Sequence, residues 1–261
     1  MIRLAANISY LFTELPLIDR IGAAAEVGFS GVEILTPYEH STKELKSRLD
    51  EFDVECVLIN TPYGEIAGGH TGLGAIEGKE NDFYEDIKKS LDYAQEIGCT
   101  RVHALAGVPE KNANMEKCRE IFTSNLRLMA ELADSANSTV LIEPLNIFDF
   151  PGYFLTHQDQ AHSIVNDVGL DNVLVQMDFY HCQIMEGNLA INFNTHLNKI
   201  GHIQLAGVPG RTEPNKGEIN YPYLLQLIDA SGYSGWVGAE YCPETSTLSG
   251  LNWARSYGIN K

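Results

Sequence analysis

Short apolar runs alternate with amphipathic stretches along the whole chain. The apolar runs have the length and β-branched content of strands, whereas the amphipathic stretches carry apolar residues at helical spacing with charge on the other face. Some of these stretches end in a glycine, as at Gly28, Gly98 and Gly232, which is typical of a helix before a short return loop. We identify eight predicted strands: RLAANIS, GVEIL, VECVLIN, RVHALAG, TVLIEPL, NVLVQMD, HIQLAG and WVGAEY.

This alternation predicts the fold class. Strands that alternate with helices form parallel sheets with right-handed crossovers. Eight such units, with no glycine-rich phosphate loop after the first strand, favour a closed α/β barrel, the (β/α)8 TIM barrel, over an open doubly wound sheet. No proline- or serine-rich linker divides the chain, so we expect a single domain over residues 1–261.

Four predicted strands carry a polar residue at or near their end that can bind a metal ion. Buried carboxylates are costly unless a cation gathers them, and these strands offer no lysine or arginine to pair them. In a barrel the ends of neighbouring strands meet at the same mouth, roughly 4.8 Å apart. Carboxylate and amide oxygens suit Mg²⁺ or Mn²⁺ best, although other divalent ions also accept them. The predicted metal ligands are Glu143, Asp178, Gln204 and Glu240.

Two further residues are candidates for binding a substrate. His181 follows Asp178 by three residues, just past the sixth strand, where it could reach a substrate oxygen. Arg211 lies in the long loop after the seventh strand, and its guanidinium fork matches a carboxylate. An exposed loop charge is the alternative interpretation of Arg211. We interpret His202, two residues before Gln204, as a core residue one layer deeper in the barrel.

The composition excludes some partners. The net charge of −17 argues against nucleic acid and against anionic membrane surfaces, because both need basic patches. A small anionic substrate remains compatible, since a local cation can override the global field. No apolar run is long enough to cross a bilayer, and Glu14 and Asp19 interrupt the N-terminal segment, so we expect a cytoplasmic protein. The sequence leaves homo-oligomerisation open.

The chain resembles the hydroxypyruvate isomerase family, which belongs to the xylose isomerase-like TIM barrels. The resemblance runs from the first strand to the last, in the stretches ANISYLFTELPLIDR, GVEILTPY, HALAGV, MDFYHCQIMEGNL, HIQLAGVPGRTEPNKGEINYPYL and GYSGWVGAEY. It implies that the four strand-end residues are metal ligands. It also implies that Glu143 and Glu240 are the catalytic glutamates and that His181 contacts the substrate.

The resemblance implies an isomerase that acts on a small 2-oxo or hydroxy acid, with the conversion of hydroxypyruvate to tartronate semialdehyde as the first expectation. The metal would act as a Lewis acid, and one glutamate would remove a proton to give an enediolate. The other glutamate would manage the proton at the neighbouring carbon. The sequence does not decide which glutamate is the base in which direction.

One segment departs from the family pattern, within the loop from Tyr63 to Glu80. The chain reads TGLGAIEGKE, with Thr71 at a position that is commonly bulky or basic, Glu77 in place of a proline, and Lys79 where an arginine is usual. This departure could mark a branch that isomerises longer acids such as 2-oxo-tetronate.

Three other functions are weaker alternatives. A ketose 3-epimerase on the same barrel typically has histidine as its third ligand, where this chain has Gln204. An endonuclease IV-type enzyme uses several zinc ions and many histidines to cut DNA, which the acidic composition does not favour. A non-catalytic barrel that binds a sugar acid would gain little from two buried glutamates.

Overall fold

Eight parallel strands close into a barrel in chain order, with β8 pairing back onto β1. The computed structural model describes residues 2–64 and 71–259. The predicted fold class, a (β/α)8 barrel, is therefore confirmed. The strands are β1 Arg3–Asn7, β2 Gly31–Ile34, β3 Glu55–Asn60, β4 Arg101–His103, β5 Thr139–Ile142, β6 Val173–Asp178, β7 Ile200–Leu205 and β8 Trp236–Ala239.

Helices connect the strands on the outside of the barrel. Gly28 and Gly98 end the first and third helices with φ of 110° and 79°, a left-handed conformation that glycine adopts without steric cost. The α-helices in the described residues are α1 Leu17–Val27, α2 Thr42–Phe52, α3 Glu80–Ile97, α4 Met115–Asp134, α5 Gln158–Val168, α6 Phe179–Met185, α7 Leu189–His196, α8 Tyr221–Ala230 and α9 Thr247–Gly250. Short 3₁₀ helices follow α7 and α9, at Leu197–Lys199 and Leu251–Tyr257.

Some element boundaries differ from the sequence prediction. The fourth strand ends at His103 instead of Gly107. Ala104 N–H still donates to Leu141 O on β5, but the following N–H groups bond to side chains of the surrounding loops. Leu105 N–H donates to Thr61 Oγ1, and Ala106 N–H donates to the hydroxyl of Tyr153. Helix α8 ends at Ala230, two residues before Gly232. Residues 65–70, in the loop whose sequence departs from the family pattern, lie outside the described part of the structure.

The barrel strands contribute both an apolar cluster and a level of polar side chains. The small buried apolar cluster consists of Ala5, Val57, Leu58, Leu141 and Trp236. Towards the strand ends the register pairs Asn7 with Glu33, Asp178 with Gln204, and Gln204 with Gly238. Polar side chains of neighbouring strands therefore lie level with one another beneath the barrel mouth. In the part of the chain that is described, no helix is both long and apolar enough to span a membrane.

Candidate active site

Three buried carboxylates lie at the C-terminal mouth of the barrel. Glu143 directly follows β5, Asp178 is the last residue of β6, and Glu240 directly follows β8. Each is at most 5% exposed. Glu143, Asp178 and His181 each offer one potential ligand atom, and these three atoms lie within 4.8 Å of one another. The structure thus brings these three predicted site residues into one cluster, with Glu240 linked to it through Arg211.

Arg211 is the counter-ion of this cluster. Its Nη2 forms an ion pair with Glu240 Oε1 and lies 3.9 Å from Asp178 Oδ2. The guanidinium also packs against the rings of Tyr10 and Tyr180, at 4.8 and 5.1 Å from their centroids. The side chain is only 12% exposed, so the alternative interpretation as an exposed loop charge is wrong. Its role in substrate binding stays a prediction.

Gln204 completes the set of strand-end ligands that the sequence predicts. Its Nε2 donates to Glu240 Oε2 and to Glu33 Oε2, the latter at 2.8 Å. Its Oε1 accepts from Gln176 Nε2 at 2.6 Å, and the same nitrogen donates to Glu143 Oε2 at 2.8 Å. Because Gln176 Nε2 donates to both Gln204 Oε1 and Glu143 Oε2, the amide oxygen of Gln204 lies on the side of Glu143. Its second lone pair remains for a cation.

His181 is held in one tautomer. It lies on α6, and its Nδ1 accepts the backbone N–H of Asn146 at 3.1 Å. Burial, together with Arg211 and His103, lowers the pKa of His181 well below its ordinary value, so the ring is neutral. A neutral ring that accepts at Nδ1 carries its proton at Nε2. This N–H lies 3.6 Å from Asp178 Oδ2, and within the described residues Nε2 has no hydrogen-bond partner. His181 is therefore suited to donate a hydrogen bond to a substrate and poorly suited to bind a metal through Nε2.

Burial shifts the protonation of all three carboxyls. It raises the pKa of Asp178 to about 6 and that of Glu240 to about 8, with Arg211 opposing both shifts. Burial, followed by repulsion from Glu240 and Asp178, raises the pKa of Glu143 well above its ordinary value. A carboxyl with a pKa of about 6 to about 8, as at Asp178 and Glu240, can both hold and release a proton near neutral pH, which general acid–base catalysis requires.

The donor atoms of the cluster fit a divalent cation. Across residues 2–64 and 71–259, Glu143 Oε1 and Asp178 Oδ2 are buried oxygens without a hydrogen-bond partner. Unpaired buried carboxylate oxygens are costly, and a hard cation is the partner that such oxygens prefer. With the Glu240 carboxylate and the Gln204 amide oxygen nearby, the cluster offers an all-oxygen ligand set.

A small cavity opens next to the cluster. Its volume is about 50 Å³, and Tyr10, Tyr63, Thr71, His103 and Phe150 line it together with Glu143, His181, Arg211 and Glu240. His103 Nδ1 lies 3.5 Å from Glu143 Oε2. Burial, reinforced by His202, lowers the pKa of His103 to about 3, so this imidazole is neutral. Acidic groups, a guanidinium and two neutral imidazoles therefore line this cavity.

Comparison with known proteins shows the family. The family model described as xylose isomerase-like TIM barrel matches residues 21–257. The 2-oxo-tetronate isomerase of Cupriavidus necator is 46% identical over 98% of this chain and 99% of its own length. The hydroxypyruvate isomerase of Escherichia coli K12 is 40% identical over 98% of this chain and its own full length. The chain belongs to the hydroxypyruvate isomerase family. It is thus a member of a family of isomerases.

A solved structure agrees with this assignment of the fold. A protein of Brucella melitensis, described as an AP endonuclease of family 2, superposes with a TM-score of 0.96 and 41% identity. The match covers 99% of this chain and 100% of that one. The resemblance to the hydroxypyruvate isomerase family and to xylose isomerase-like barrels that the sequence motifs indicated is confirmed.

Sequence reasoning assigned no role to several polar residues of the site of this hydroxypyruvate isomerase family member. Glu33 and Gln176 are buried beneath the strand ends and bond directly to the predicted ligands, and His103 and Tyr10 line the cavity. The sequence pattern could have identified Glu33 and Gln176 as site residues, because each interrupts an apolar strand at a position that faces the barrel interior. Tyr10 carried no signal, since its site contact depends on Arg211 folding back over the mouth.

The raised carboxyl pKa values predict how the stability of the metal-free protein depends on pH. Unfolded carboxyls have a pKa near 4, so the folded protein binds protons that the unfolded chain has already released. The stability contributed by Asp178 and Glu240 is therefore complete below that value and is lost as pH rises through about 6 and about 8.

We expect the free energy of unfolding, measured with urea in EDTA, to fall between pH about 6 and about 8, by on the order of 1–2 kcal/mol from Glu240. In Glu240→Gln that fall should be smaller, because the titrating group is gone. An equal fall in both proteins would contradict a raised pKa at Glu240.

Proposed function

We propose that this protein is a divalent-metal-dependent isomerase of a small hydroxy acid, with hydroxypyruvate to tartronate semialdehyde as the first candidate reaction. The observation that carries the proposal is the pair Glu143 and Glu240, two buried glutamates with raised pKa beside the same small cavity. The isomerase names of the relatives from Cupriavidus necator and Escherichia coli support the reaction class.

The residues that would hold a divalent cation are Glu143, Asp178, Gln204 and Glu240, and the cation would supply Lewis-acid polarisation of the substrate carbonyl. The two glutamates handle the proton on carbon. One removes a proton from the hydroxymethyl carbon of hydroxypyruvate, which leaves an enediolate. The other delivers a proton to the neighbouring carbon, and transfer of the hydroxyl proton between the two substrate oxygens completes the isomerisation.

His181 and Arg211 bind the two ends of the substrate in this mechanism. The Nε2–H of His181 donates to a substrate oxygen, where it stabilises negative charge as that charge develops. Arg211 is the cationic side chain that lines the cavity, and in the described structure its Nε has no hydrogen-bond partner. Its N–H groups can therefore donate hydrogen bonds to the substrate carboxylate while Tyr10 and Tyr180 hold the guanidinium plane.

The charge of the cavity lining supports a small acid over a free ketose. Arg211 is a cationic side chain that can pair with a substrate carboxylate, and a free ketose has no carboxylate, which argues against the 3-epimerase alternative. A DNA substrate, suggested by the description of the Brucella melitensis structure, is disfavoured by the net charge of −17 and by the burial of the carboxylates. The second candidate is isomerisation of 2-oxo-tetronate, which the name of the Cupriavidus necator relative and the small Thr71 side chain favour.

A panel assay tests the reaction and its metal dependence. Purified protein should isomerise a C3 or C4 2-oxo acid, lose this activity in EDTA, and regain it when Mg²⁺ or Mn²⁺ is added in excess. The measurement is product formation by proton NMR. Full activity in EDTA would contradict metal dependence, and turnover of free ketohexoses but not of 2-oxo acids would favour the epimerase.

Replacing either glutamate tests the acid–base roles. Glu143→Gln and Glu240→Gln should each lower kcat by roughly 10²- to 10⁴-fold, since the amide cannot transfer the proton. Glu213→Gln is the matched control, because Glu213 is equally buried but lies outside the cavity lining. It should retain turnover. Near wild-type kcat in either site variant would contradict the assignment.

Thr71→Trp tests the choice between C3 and C4 substrates. The indole would fill cavity space beside Tyr63 and Leu105 and should lower kcat/KM for 2-oxo-tetronate about tenfold more than for hydroxypyruvate. Thr71→Ser, which keeps the small side chain, should leave the ratio of the two kcat/KM values unchanged. An equal loss for both acids in Thr71→Trp would show that this position does not select substrate length.

A further inference from the structure

We propose that Glu33 is a positioning residue that sets the orientation of Gln204 and Glu240 for cation binding. This inference rests on the metal site of the proposed function. Glu33 lies on β2 and is fully buried below the barrel mouth. It does not line the cavity, so it acts through its neighbours.

Two side-chain amides join the carboxylates of Glu33 and Glu240. Asn7 Nδ2 donates to Glu33 Oε2 and to Glu240 Oε2, both at 2.9 Å. Gln204 Nε2 donates to the same two oxygens. Each amide nitrogen has two hydrogens, so both nitrogens are fully used by this arrangement. Four N–H groups thereby hold the carboxyl groups of Glu33 and Glu240 at a fixed separation.

The bond to Glu33 determines which way the Gln204 amide faces. Because Glu33 accepts only from the nitrogen end, Gln204 Oε1 must point the other way, towards Gln176 and Glu143. An amide turned by 180° would place its oxygen against two carboxylates, which is electrostatically unfavourable. Glu33 therefore directs the amide oxygen to the cluster that the cation would occupy.

Glu33 is itself fixed from two other sides. Its Oε1 accepts from His202 Nε2 at 2.6 Å, and His202 is also fully buried. On β8 the neighbouring residue is Gly238, where a Cβ would lie 1.7 Å from Glu33 Oε1. The absence of a side chain at Gly238 thus leaves the space that Glu33 occupies. His202 is a core residue that also holds the Glu33 carboxyl in place.

The test measures Mn²⁺ affinity directly, by titration calorimetry on protein freed of metal with EDTA. Glu33→Leu, which removes both acceptor oxygens, should weaken Mn²⁺ binding by roughly 10- to 100-fold and lower kcat more than it changes KM. Glu33→Gln should restore affinity to near the wild-type value, since its carbonyl oxygen can accept from Asn7 and Gln204. Glu213→Gln again serves as the control for loss of a buried carboxylate.

The outcomes separate this inference from the proposed function. Wild-type protein that binds no Mn²⁺ would overturn the metal site itself. Wild-type affinity retained in Glu33→Leu would leave the metal site standing and overturn the positioning role, even if that variant melted at a lower temperature. Equal weakening in Glu33→Gln and Glu33→Leu would show that the charge matters instead of the accepting oxygen, and would also overturn it.

If Glu33→Leu does not fold, Asn7→Ala decides. It removes one of the two bridging amides and leaves every proposed metal ligand in place. The proposal predicts weaker Mn²⁺ binding, by about tenfold or more. Unchanged affinity in folded Asn7→Ala would overturn the proposal.

Discussion

The gathering of three buried carboxylates at one end of the barrel is the constraint on which the rest of the site depends. Burial in a medium that solvates charge poorly raises the pKa values of Glu143, Asp178 and Glu240, and neighbouring carboxylates add to the rise. The buried guanidinium of Arg211 offsets part of this cost. Such an arrangement is unfavourable for stability alone. The divalent cation of the proposed function would supply the missing positive charge.

The polar residues below the mouth form a support for these carboxylates. Asn7 and Gln204 bridge from Glu33 to Glu240, and Gln176 bridges from Gln204 to Glu143. The amide N–H groups supply donors to the carboxyl oxygens, so most of these buried oxygens have a hydrogen-bond partner. The oxygens that remain unpaired, on Glu143 and Asp178, are at the position where a cation would be useful.

The sequence was sufficient for the fold and for the strand-end residues, because both follow from simple periodicities. Alternating strands and helices predict the barrel, and Asp178 and Gln204 end up paired in register as their strand-end positions imply. The roles of the polar residues below the mouth were harder to predict from the sequence. Glu33, for example, has His202 as its partner, which lies on a strand five places further along the chain. Arg211 was ambiguous because a loop residue's burial depends on which rings it packs against.

The most direct test is a crystal structure of the protein soaked with Mn²⁺, with the ion located by its anomalous scattering. The account predicts one Mn²⁺ bound by oxygens of Glu143, Asp178, Gln204 and Glu240, with His181 Nε2 outside the coordination sphere and free to donate to a substrate. An ion bound instead by Glu143, Asp178 and the His181 nitrogen, with Gln204 still bonded only to its neighbours, would contradict it. So would the absence of any ion at the barrel mouth.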